Sequence, residues 1–220
     1  MTTVTSKLEI WNLAVTRIGH EPISEEGENT KAGRLCRLHY PLVLDACLRA
    51  HPWNFAVRRA ELAALTTVPS FEFTAAFALP TDPYCLKVIR TSHEANGFSS
   101  TAIYGYPGVH GYGAMPVEYR IETIRHEGTD VRCILINDSS LSIEYIARVT
   151  DVAQFDALFV DVLAARLAAE IAIALTDNKS ASESALQVYQ MKLAEARTVD
   201  AQEGSPRDII NVDGWLMARI

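Results

Sequence analysis

The stretch His51-Pro52-Trp53-Asn54-Phe55-Ala56 separates two kinds of sequence. Residues 31–50 ahead of it carry a helical pattern; Val57-Arg58-Arg59-Ala60-Glu61-Leu62 after it reads as a strand. A proline pushes the preceding residue out of the helical region, so the helix is predicted to end at His51. Trp53 and Phe55 stand two apart and are expected to anchor one face of the emerging strand in the core. His51, Pro52, Trp53 and Phe55 therefore form a structural junction that sets the angle between two elements. Leu79-Pro80-Thr81-Asp82-Pro83-Tyr84 is a second point of punctuation, a turn between strands.

Toward the N-terminus, residues 7–18 place Leu8, Trp11, Val15 and Ile18 on one helical stripe. Gly19 ends that helix, with Pro22 just beyond. Residues 23–29 make an acidic loop. Asn29 or Thr30 caps the second helix, whose stripe reads Leu35, Leu38, Leu42 and Ala46, with a kink expected at Pro41. Toward the C-terminus, strand signals cover 55–65, 71–79, 85–91, 117–124, 131–137 and 141–149. Glu127-Gly128 and Asn137-Asp138-Ser139-Ser140 divide the last three, which are expected to form an antiparallel meander. Helical period then returns over 153–175 and 181–201, with Ser180 and Ser182 as expected caps and a short link that implies a hairpin. The series Phe155, Phe159, Val162, Leu163, Leu167 and Ile171 is too apolar for one exposed face, and is expected to pack on several neighbours.

The fold class that follows is α+β. An α-helical bundle, built from two N-terminal helices and a C-terminal helical hairpin, occupies residues 1–54 and 151–203. An antiparallel β subdomain is inserted at 55–150, with a Gly/Tyr-rich loop at 96–116. An extended C-terminal tail covers 204–220. That tail ends in Trp215, Leu216, Met217 and Ile220, apolar groups that are wasted if left in water. They imply either docking on the chain's own domain or insertion into another chain.

Composition bounds the function. The 220 residues are 49% apolar and 21% charged, ordinary for a globular protein. No apolar run reaches the roughly 18 residues of a membrane span, and no secretory leader is apparent, so folding in a cytoplasm is expected. Net charge is −7, made up of +1 over 1–64, −3 over 65–150 and −5 over 151–220. A non-specific nucleic-acid binder needs a basic stripe, which this distribution does not offer. The four cysteines, Cys36, Cys47, Cys85 and Cys133, contain no Cys-x-x-Cys pair and read as buried thiols. Cys36, His39, Cys47 and His51 share a helical stripe, yet eleven residues of helix separate the two cysteines by roughly 16 Å. Zinc ligands must converge within about 2.3 Å of one ion, so no metal site is expected there.

The glycines between Gly97 and Pro116 lack the following helix and the Lys-Ser/Thr pair of a phosphate loop. They read as a long loop whose Tyr104, Tyr106 and Tyr112 suit contact with a neighbouring subunit or a tail component. No Gly-x-Ser-x-Gly elbow or evident triad appears, so an enzyme is not expected.

Trp11-Asn12-Leu13-Ala14-Val15-Thr16-Arg17-Ile18-Gly19-His20-Glu21-Pro22 resembles the opening of the bacteriophage tail tubular protein A-like adaptors. Arg37, Tyr40, Asp45, Leu48 and the His51–Ala56 junction are similar to a second stretch of that family, and Leu79-Pro80-Thr81-Asp82 to its strand-capping turn. The junction is the sharpest of these motifs. The resemblance implies a head-to-tail adaptor, or gatekeeper, of a phage or prophage particle, made in the bacterial host cytoplasm and resident in the virion neck or tail. Its implied partners are the portal protein, a tail or nozzle protein, and its own copies in a ring, usually of twelve, that forms on the portal from chains monomeric in isolation. Double-stranded DNA would pass through the channel without specific binding, repelled by acidic walls. No cofactor and no membrane are implied. Trp215, Leu216, Met217 and Ile220 are the expected portal contact. The alternatives are another neck or tail-completion protein, a small soluble enzyme, and a DNA-binding regulator.

Overall fold

The computed structural model describes residues 6–92 and 118–203. Helix α1 spans Lys7–Arg17 and opens with a capping box, in which the Ser6 hydroxyl accepts from the Glu9 N–H and the Glu9 carboxylate accepts from the Ser6 N–H. It closes at Ile18, and Gly19 takes the left-handed conformation, φ 76°, that suits a residue without Cβ. The loop beyond folds back on α1. Asn12 accepts from the Ile23 N–H at 2.7 Å and donates to the Ile23 carbonyl at 3.0 Å. Helix α2, Lys31–Ala50, is capped by the Thr30 hydroxyl, and passes through Pro41. Arg37 reaches back to the carbonyls of Glu26 and Glu28, at 2.6 and 3.1 Å, pinning the acidic loop.

Which face of α2 is buried departs from expectation. Ala32, Cys36, Tyr40, Val43, Leu44, Cys47 and Leu48 are at most 5% exposed, whereas Leu38 and Leu42 are 66% and 72% exposed. The helix carries two apolar stripes, so spacing alone cannot choose between them. The choice is made at the C-terminal end, where the Trp53 indole N–H donates to the Cys47 carbonyl at 2.9 Å and the Arg49 guanidinium to the Leu86 carbonyl. These two bonds set the rotation of α2 and turn Cys47 and Leu48 inward.

Six strands follow: β1 Val57–Glu61, β2 Ala75–Ala78, β3 Cys85–Thr91, β4 Tyr119–His126, β5 Thr129–Ile136 and β6 Ser142–Ala147. They form two antiparallel sheets, ordered β1-β6-β3 and β2-β5-β4. The expected meander is therefore broken. β4 and β5 do form a hairpin across Glu127-Gly128, both at positive φ, as a tight two-residue turn requires. β6 instead leaves β5 and enters the other sheet between β1 and β3. Five of its six residues are buried, so it has no solvent face and belongs in a sheet centre covered on both sides.

The molecule is layered accordingly. Ile146 of β6 and Leu86 of β3 face the helices, while Ile143, Tyr145 and Ala147 face Phe77, Ile134 and Ile136 of the second sheet. The register of β3 shifts between Cys85 and Lys87 and again between Val88 and Arg90. The extra residues, Leu86 and Ile89, are the ones turned into the helical core, so each bulge re-aims a side chain.

Helix α3, Ala157–Thr176, stands at the centre of the bundle and packs against α1, α2 and the last helix. Helix α4, Lys179–Gln202, runs antiparallel to it, with Ser182 beside Ala169 and Lys192 beside Asp161. The expected helix from residue 153 is two elements. Asp151 caps a short 3₁₀ turn, Val152–Gln154, and Asp156 caps α3 through the N–H groups of Leu158 and Phe159. The cap of α4 is Asn178 rather than Ser180 or Ser182. Its side-chain amide oxygen accepts from the N–H groups of Ser180 and Ala181, and the left-handed Asp177, φ 52°, makes the corner.

Candidate functional site

Among the described residues, the junction singled out in the sequence is held by a dense set of bonds. His51 ends α2 in extended geometry, φ −151° and ψ 148°. Pro52 follows, and Trp53, 1% exposed, is inserted between the helices. Residues 54–56 form a turn closed by the Ala56 N–H to the Trp53 carbonyl at 2.8 Å, so Phe55 precedes β1 instead of lying on it. Trp53 and Phe55 thus share a turn, not a strand face as expected. Their rings meet Phe159 at 5.1 and 4.9 Å, and Phe155 joins them at 5.7 Å from Phe55. Edge-on packing of this kind adds stability beyond area alone.

A second layer of bonds fastens the junction to the far end of α4. The Asp200 carboxylate lies 2.9 Å from His51 Nε2 and accepts from the Asn54 N–H at 3.1 Å. The Asn54 amide donates to the Asp200 carbonyl at 2.9 Å and to Glu203 Oε2 at 3.2 Å. Arg197 donates to the Ala50 carbonyl at 2.6 Å, supplying a partner for an end carbonyl of α2. The chain therefore leaves α4 from a point held against the junction. The positions Trp215, Leu216, Met217 and Ile220, and Tyr104, Tyr106 and Tyr112, lie outside the described residues.

Other residues of the motifs also hold the fold. Asp45 binds Arg148 through both carboxylate oxygens, at 2.9 and 2.5 Å, tying α2 to the end of β6. That bond, ahead of the smaller effects of burial and charge, raises the Arg148 pKa above its ordinary value. Tyr84, the last residue of the Leu79–Tyr84 turn, has the guanidinium groups of Arg148 and Arg132 at 4.7 and 5.8 Å from its ring centre. Arg132 reaches from β5 to the Cys85 carbonyl at 2.6 Å and so links the two sheets. Inside the bundle, Asp161 is shared by Arg17 of α1 and Lys192 of α4. Burial pushes its carboxyl up, but the Lys192 hydrogen bond and the Arg17 charge outweigh that and leave it below the usual value.

All four cysteines are buried free thiols. Burial raises Cys36 to about 11 and Cys47 to about 12, and pushes Cys85 and Cys133 upward as well. Among the described residues no group of three or more His, Cys, Asp and Glu is placed to hold a metal. A cleft of about 220 Å³ is lined by Arg58, Pro83, Arg148, Thr150, Asp151 and Gln154. Its arginines are already engaged, Arg58 by the carbonyls of Phe55 and Val57, and Arg148 by Asp45. Asn54, Asp200, Arg197 and Glu203 were not legible as a unit in sequence, because about 146 positions separate the two halves of the clasp. The one available signal was the polar Asn54 between two large aromatics.

No protein-family model matches this chain, and no curated protein matches it in sequence.

Proposed function

We propose that this protein is a structural component of a phage or prophage particle, a head-to-tail adaptor that docks beneath the portal and extends the DNA channel to the tail. The observation that carries the reading is the junction. His51–Ala56, the sharpest stretch of the resemblance, is used here to lock α2, β1 and the end of α4 into one unit. An adaptor needs a rigid body with a projecting apolar segment, and that segment would start at the locked end of α4. The remaining resemblance residues support the same reading, since Asn12, Arg37 and Asp45 act as fasteners and hold no reactive group in a cleft. Ring formation, portal and tail contacts, and passage of DNA belong to the proposal. Trp215, Leu216, Met217 and Ile220 are its portal anchors, because a few terminal aromatic and aliphatic groups can fill pockets at modest ordering cost.

The test uses purified full-length chain with portal assemblies, observed by negative-stain imaging and pull-down. The adaptor reading expects a closed ring on the portal, and expects Trp215→Ala with Leu216→Ala to abolish retention while the circular dichroism of the free chain is unchanged. No association of the unaltered chain with portal overturns it.

A further inference from the structure

The second apolar stripe of α2 is only partly covered by the described residues: Leu35 is half-buried against the helical core, whereas Leu38 and Leu42 stand open. Leu35, Leu38, Leu42 and Ala46 recur at intervals of three and four, which places them in one row. Leu38 and Leu42 are 66% and 72% exposed, and form a patch where scattered single leucines would need no account. Arg34, Arg37 and Arg49 occupy exposed positions along the same helix, each with one guanidinium nitrogen on a backbone carbonyl that leaves its charge unneutralised, and α2 contains a single acid, Asp45.

The chain itself supplies a segment that fits. Asp200 and Glu203 are bonded to Asn54, and Arg197 to the Ala50 carbonyl, so the polypeptide leaves α4 beside the last turn of α2. Trp215 stands twelve residues beyond Glu203. That distance is about 18 Å as helix and about 40 Å as extended chain. Leu42 and Leu38 lie only about 12 and 18 Å up α2 from Ala50. The segment is therefore long enough to reach the stripe. It carries Ile209, Ile210, Val212, Trp215, Leu216 and Met217, with Asp208 and Asp213 between them to meet the arginines.

We propose that residues 207–220 of the free chain lie along this stripe, with Trp215 seated against Leu38 and Leu42. The contact concerns the isolated protomer and stands apart from the adaptor reading.

Fluorine NMR of the full-length chain labelled with 5-fluorotryptophan tests this directly. Three resonances arise, from Trp11, Trp53 and Trp215. The expected result is a Trp215 signal shielded from a soluble paramagnet, unchanged on dilution, and broadened several-fold more in the L38D/L42D variant. Trp11 and Trp53, both buried, report that the fold is intact; where they lose dispersion, L38A/L42A is read instead. A Trp215 signal already open in the unaltered chain overturns the proposal. So does shielding that survives the substitutions in a folded variant, or that disappears on dilution, which would assign the stripe to a second copy.

Discussion

One carboxylate carries much of the junction. Asp200 faces His51 and the Asn54 N–H at once, and its side chain is only 12% exposed. Truncating it strands partly buried donors, a loss of about 1–3 kcal/mol. Asp200→Ala should therefore lower the urea midpoint with an unchanged slope, and Asp200→Asn should recover part of the loss. An unchanged midpoint would show that the aromatic cluster holds the junction alone. Tyr40 presents the opposite case. Its hydroxyl is buried with no hydrogen-bond partner, as is the Trp11 indole N–H, and the two rings pack edge-on at 6.1 Å. Burial, and then the charge of Glu26, raises that hydroxyl's pKa to about 12. Tyr40→Phe removes an unsatisfied group while keeping the ring, so it should be neutral or stabilise by up to about 1 kcal/mol, measured by thermal unfolding. Asp161 supplies a pH dependence. Its carboxyl is held below the ordinary 3.8 in the folded chain. Its contribution is therefore complete above that value and disappears as pH falls through the depressed one. Asp161→Asn should flatten the acid limb of the stability curve and leave its slope near neutrality unchanged.

Helices α2 and α3 show how an element's composition constrains its place. α3 is buried along most of its length, because α1, α2 and α4 cover it on different sides. Leu167, fully buried, should cost about 2–5 kcal/mol when cut to Ala, read in the same urea titration. α2 holds two thiols whose burial suppresses the reactive thiolate. A thiol reagent at mildly alkaline pH should label neither Cys36 nor Cys47 until denaturant is added; rapid native labelling would mean that α2 opens locally. Of the stripe that spacing favoured on α2, Leu35 is half-buried while Leu38 and Leu42 are exposed. Periodicity reports that a helix has an apolar face, and when two faces qualify it does not rank them.

Across the whole molecule, three layers share two interfaces: helices on the β1-β6-β3 sheet, and that sheet on β2-β5-β4. Asp45 of α2, the C-terminal end of β6 and the Tyr84 turn are cross-linked by Arg148 and Arg132, and the clasp at Asp200 closes the bundle. Such a body would present its C-terminal segment from a fixed base. The limits of α1 and α2, the Glu127-Gly128 hairpin and the stop at His51 were legible in the residues, because caps, positive-φ turns and the pre-proline restriction act within a few positions. The transfer of β6 between sheets, the turn at Phe55, the inward face of α2 and the Asn54–Asp200 clasp were decided only in three dimensions. Each depends on groups far apart in the chain, whose pairing no local pattern encodes.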